Sequence, residues 1–130
     1  MVKSKEDFID LVEYYSNRLI NEMDELYETE VLSRYNDYRE TIEKKMAEKG
    51  YRLNEQQEAR LFEADRQLFI HIDEVLEWWK NDNIFSLRDM YIDEIRKEQW
   101  YWWFDEIKDG VYPFELLPEH LKGVCERFYK

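Results

Sequence analysis

Apolar residues recur at helical spacing from the start of the chain. Phe8, Val12, Tyr15, Leu19, Met23 and Leu26 are followed by Tyr27, Val31, Tyr35, Tyr38, Ile42 and Met46, a recurrence that places one apolar stripe along a helix. No glycine or proline interrupts Ser4 to Lys49. Phe8 and Leu19, Val12 and Met23, and Tyr35 and Met46 each stand eleven residues apart, a period of about 3.67 per turn that keeps the stripe nearly straight. Ser4 with Asp7 is a variant capping box, so the first helix starts near Lys5. If unbroken it is a rod roughly 65 Å long. Asn36 and Asp37 cap helices better than they extend them, so a break between Ser33 and Asp37 competes with the continuous rod. The continuous version is taken as the expectation.

Gly50 follows Lys44, Lys45 and Lys49, the arrangement of a left-handed closing residue after a basic last turn. Asn54 and Gln57 form a capping box for the next helix, which carries Leu61, Leu68, Ile72, Val75 and Trp79 along one face. Asp65 falls on that face. A buried aspartate needs a partner, and Arg66, Arg60 or a tyrosine hydroxyl from the first helix would supply one at the edge of the core. Asn81 to Asn83 form a turn, and Ser86 with Asp89 opens a third helix that extends to Gly110. It contains Trp100, Tyr101, Trp102, Trp103 and Phe104 in succession. At about 100° per residue these cover a helix's whole circumference, so one packed face cannot hide them all and some must meet something else, a fourth segment of the same chain or a partner. After Gly110, Pro118 opens a short helix with Leu121, Val124, Cys125 and Phe128 on its apolar edge. The expected fold is all-α, a helical bundle with a long N-terminal helix, two further long helices and a short C-terminal helix, in one domain over residues 1–130.

Composition agrees with that fold. Three glycines and two prolines in 130 residues leave little for turns, and the 17% aromatic content is far above that of disordered segments. Lys and Arg number 19 against 31 Asp and Glu, a formal charge of −12. Such a chain is repelled by nucleic-acid backbones and anionic membrane surfaces, so its natural partner is a basic protein. Cys125 is the one cysteine, which excludes an intrachain disulfide and a multi-cysteine zinc site. No apolar run reaches the ~18 residues of a membrane span and Met1 to Asp7 lack a signal-peptide core, so a cytoplasmic protein is expected.

Catalytic constellations are absent, and no cofactor or metal is expected. The glycines at Gly50, Gly110 and Gly123 are isolated, with no phosphate loop or strained serine turn. Cys125 reads as a small core residue. His71 and Glu74 are helical neighbours, but Leu68 and Leu117 stand three residues before His71 and His120, where a di-metal bundle needs glutamates. The carboxylate spacings Glu22, Glu25, Glu28 and Glu74, Glu77 suit magnesium held against nucleotide phosphates, as in all-α nucleotide pyrophosphatases; this is the enzymatic alternative.

The first reading is a small binding protein. Glu22, Asp24, Glu25, Glu28 and Glu30 form the densest acidic run, with no base between Arg18 and Arg34. A row of carboxylates on a stiff helix is electrostatically similar to a nucleic-acid backbone, and suits the basic groove of a nuclease or other nucleic-acid-binding protein. Trp100, Tyr101, Trp102 and Trp103 would supply the desolvated anchors. Immunity proteins and anti-defence inhibitors are objects of this type. A structural or adaptor subunit that assembles through Trp100 to Phe104, with homo-oligomers, is the other non-enzymatic reading. Against all three, acidic helix faces usually keep a protein soluble and tryptophan clusters are usually core.

Overall fold

A computed structural model describes residues 2–23 and 34–130, and every regular element among them is helical. The all-α expectation holds. Helix α1 spans Lys5–Asn21; Ser4 Oγ accepts from the Asp7 N–H at 3.1 Å, and the Asp7 carboxylate accepts from the Lys3 N–H at 3.0 Å. Phe8, Val12, Tyr15 and Leu19 are buried along one face, as the stripe predicts. At Glu22 the backbone leaves helical geometry (φ −127°).

Helix α2, Arg34–Lys49, returns alongside α1. The rings of Tyr15 and Tyr35 are 6.1 Å apart and those of Phe8 and Tyr51 are 5.2 Å apart, so the two helices run antiparallel. In one continuous helix Tyr15 and Tyr35 would stand about 30 Å apart. The rod is therefore corrected to two helices. Folding back lets Tyr35 and Ile42 share the core already begun by α1, whereas a rod would leave the second half of the stripe without a cover. Residues 24–33, between the two helices, lie outside the described residues; Asn36 and Asp37 stand within α2, near its first described residue.

Gly50 closes α2 with φ +68°, donating its N–H to the Met46 carbonyl. Helix α3, Glu55–Ile70, opens on the full capping box, with both reciprocal bonds between Asn54 and Gln57 formed. It makes the most extensive helix contact of the fold, against α1. The second long helix does not run on to Asn81 unbroken: His71, with ψ +35°, divides it, and α4 follows over Ile72–Asn81. Asn83, in the left-handed region at φ +58°, then turns the chain into α5, Ile84–Met90.

The expected third long helix is also corrected. Beyond α5 come a 3-10 turn at Ile92–Glu94, irregular chain, a second 3-10 turn at Trp100–Trp102 and the short α6 at Phe104–Lys108. A straight helix would splay the aromatic run around its circumference. Breaking it turns the side chains inward: Trp100, Tyr101, Trp102 and Trp103 retain only 3%, 4%, 6% and 7% of their exposure, and Phe104 1%. The rings of Trp100, Trp102 and Phe104 pack edge-on or tilted against Phe69 or Trp79, the geometry favoured by aromatic quadrupoles. Gly110, at φ +73°, follows α6; a Cβ there would run into the Phe128 backbone carbonyl. The last helix, α7 at Glu119–Cys125, starts after Pro118 and packs Leu121 and Cys125 into the core beside α3. No helix of the described residues is long and apolar enough to cross a membrane.

Candidate functional site

Among the described residues two places concentrate charged groups, one sealed and one open. The sealed one is Asp65, fully buried where α1, α2, α3 and α7 meet. Its Oδ1 accepts from the Tyr15 hydroxyl at 2.6 Å and from Arg39 Nε at 2.9 Å; its Oδ2 accepts from Arg39 Nη2 at 3.1 Å and from His120 Nε2 at 2.8 Å. Arg39 also donates to Glu43 at 2.6 Å, and the His120 ring stacks on Phe62 with centroids 3.8 Å apart. A carboxylate has about four acceptor directions, and here all are filled.

Of the partners expected for Asp65, the tyrosine hydroxyl from the first helix is present. Arg60 bonds Asn17 instead, and Arg66 bonds Glu63 and the His120 carbonyl. Asp65 lies inside the core, not at its edge. Arg39 went unrecognised, although it stands four residues after Tyr35 and three before Ile42, on the apolar face of α2. Burial alone would push the Asp65 carboxyl up; the Arg39 charge and the bonds from His120, Arg39 and Tyr15 outweigh it and hold the group below its ordinary range. Burial, then the Asp65 charge, pushes the Tyr15 hydroxyl well up. Enclosed, ionised and saturated with donors, Asp65 cannot accept a substrate proton. Its chemistry is that of an anchor joining four helices.

A second internal pair fastens the aromatic segment. Arg88 donates to both oxygens of Asp105, at 2.7 and 3.0 Å, and to the Trp102 carbonyl at 3.0 Å, while its guanidinium lies 4.8 Å from the centre of the Trp103 ring. The Trp102 indole donates to Glu40 at 2.5 Å and the Trp103 indole to the Arg96 carbonyl at 3.2 Å. These side chains are core, and the Trp102 and Trp103 indole N–H groups are satisfied within it. Cys125 is core as well, its thiol pushed up by burial to about 12, which leaves it unreactive.

The expected acidic surface is described at one residue. Glu22, at the end of α1, pairs with Arg18 at 2.8 Å. Asp24, Glu25, Glu28 and Glu30 lie outside the described residues. Among the described residues no group of three or more His, Cys, Asp or Glu side chains converges to hold a metal ion. Glu74 and Glu77 stand on α4, half-buried and exposed, without a third ligand.

The open concentration was not foreseen. Asp89, Asp93 and Glu94, around the end of α5, are exposed and form no ion pair among the described residues. Asp37, across from them on α2, is also unpaired; desolvation, and then the neighbouring Glu40 charge, hold its carboxyl above the ordinary range against the pull of Arg34. No protein-family model, curated protein or solved structure matches the chain.

Proposed function

We propose that the protein is a small acidic, non-enzymatic binding protein that occupies the basic surface of a nucleic-acid-handling protein and blocks it, in the manner of an immunity or anti-defence inhibitor. The observation that carries this reading is how the charge is divided. Arg39 is paired in the core with Asp65, and Arg88 with the half-buried Asp105. Each pair is neutral, so the −12 excess stays with the remaining side chains. Asp89, Asp93 and Glu94 form no ion pair among the described residues, and Asp37 is offset only in part by the Arg34 charge; carboxylates without a bonded cation steer a cationic partner and are relieved by it. The aromatic segment is buried in the core, and among the described residues Glu74 and Glu77 belong to no group of three or more side chains that could hold a metal ion.

The test is affinity capture from the source cell with the intact chain, followed by a salt series and competition. The retained protein should be a nucleic-acid binder, released between about 0.1 and 0.5 M salt as screening sets in. Duplex DNA or RNA should displace the chain. A complex that survives roughly 1 M salt, or that binds nucleic acid and the chain together, contradicts the proposal.

A further inference from the structure

The longest exposed apolar run among the described residues stands between the unpaired carboxylates of the α5 end. Met90 is 72% exposed, Tyr91 47% and Ile92 43%, while Asp89 precedes them and Asp93 and Glu94 follow. Beside this turn a groove of about 290 Å³ opens between α2 and α5. Leu87, Tyr91, Ile95 and Trp102 give it an apolar floor, and Asp37 and Glu94 stand on its rim. Glu40 and Lys44 are also on the rim, paired with each other at 3.2 Å, and Glu40 accepts from the Trp102 indole as well, so the carboxylates left for a cationic occupant are Asp37 and Glu94.

Each possible occupant meets the same chemistry. An anionic membrane surface would bring phosphate against Asp37, Asp89, Asp93 and Glu94, and a second copy of the chain would set acid against acid. A cationic amphipathic segment satisfies both halves, because apolar burial supplies affinity while opposite charges around it set register and encounter rate. We propose that this groove and the Asp89–Glu94 turn seat a cationic amphipathic helix of a partner protein. One apolar side chain of that helix enters over Leu87 and Ile95, between Tyr91 and Trp102. Lysines or arginines flanking it meet Asp37 and Glu94, and Met90 and Ile92 cover the next turn of its apolar face. This rests on the basic-partner reading above and gives that partner its seat.

The experiment is a nitrogen-15 NMR titration of the intact chain with a synthetic amphipathic Lys/Leu helix. A Lys/Ser peptide of equal charge and a Glu/Leu peptide serve as comparisons. The Trp102 indole N–H and the amides of Leu87, Tyr91 and Ile95 should shift with the Lys/Leu peptide. Affinity should fall about tenfold or more for the Lys/Ser peptide and for the Met90→Ser/Ile92→Ser variant. Asp37→Asn/Glu94→Gln should flatten the salt dependence of binding. Equal binding of the Lys/Leu and Lys/Ser peptides, with shifts elsewhere on the chain, overturns this seat and leaves the basic-partner reading standing. Binding of neither cationic peptide counts against both. Equal binding of the Glu/Leu peptide overturns the charge argument, and a wild-type dimer that Met90→Ser/Ile92→Ser dissolves assigns the surface to a second copy instead.

Discussion

Asp65 and the Asp89–Glu94 turn use the same kinds of side chain to opposite effect. Around Asp65, a tyrosine, an arginine and a histidine from three other helices fill every acceptor direction, and aromatic rings close over them. At the turn, Asp89, Asp93 and Glu94 face water without an ion pair among the described residues, and Met90, Tyr91 and Ile92 stand exposed between them. The first arrangement has nothing left to offer a ligand. The second has both charge and apolar surface uncommitted. Net charge by itself distinguishes neither; what matters is whether each carboxylate has its cation within the fold.

The sharpest way to break this contrast is to remove charge from the sealed side. Asp65→Ala leaves the Arg39 guanidinium buried without its partner and should cost about 3–5 kcal/mol in urea unfolding. Replacing both residues, Asp65→Leu with Arg39→Met, should cost much less, because no buried charge remains. Equal losses from the single and double variants would mean that packing, and not charge compensation, dominates there. Trp103→Ala follows closely, at about 3–5 kcal/mol for a large core aromatic. Its sedimentation while folded should not change, since the indole is core and not interface.

The pH dependence of stability separates the same groups more gently. Asp65 and Asp105 are held below the ordinary carboxylate range, so their contribution is present above about pH 4 and is lost as pH falls through their folded values. Tyr101 and Tyr129 are pushed up to about 12, chiefly by burial. Their contribution holds below about pH 10 and is lost as pH rises toward the folded values. Urea midpoints measured across pH should fall at both ends. The smallest effect belongs to the open side: Met90→Ser with Ile92→Ser should change stability by about 0.5 kcal/mol or less, as exposed residues do. A larger loss would show that the turn is part of the core.

Local signals carried the helix starts and stops into the sequence reading. Ser4, the Asn54 and Gln57 box and Gly50 act within one turn of the chain, and each appears where its chemistry requires. The reversal between α1 and α2 was hidden because eleven-residue spacing is the same on one rod as on two helices sharing a core. Arg39 interrupts an otherwise apolar face of α2, and its charge is what allows Asp65 to be buried. Nothing between Met90 and Trp103 marks a break, since no glycine or proline stands there. The helix gives way because a straight one could not bury the aromatic residues that follow. The Asp89–Glu94 surface was illegible for the same reason, as it exists only once that helix has stopped.

Carboxyl carbon-13 titration of the intact chain, with and without the Lys/Leu helix, tests the division between sealed and open charge most directly. Asp65 and Asp105 should titrate below the ordinary range in both conditions, and Asp37 above it alone but lower when the helix is bound. An Asp65 that titrates like a free aspartate, or an Asp37 that does not respond to the cationic helix, would contradict that division.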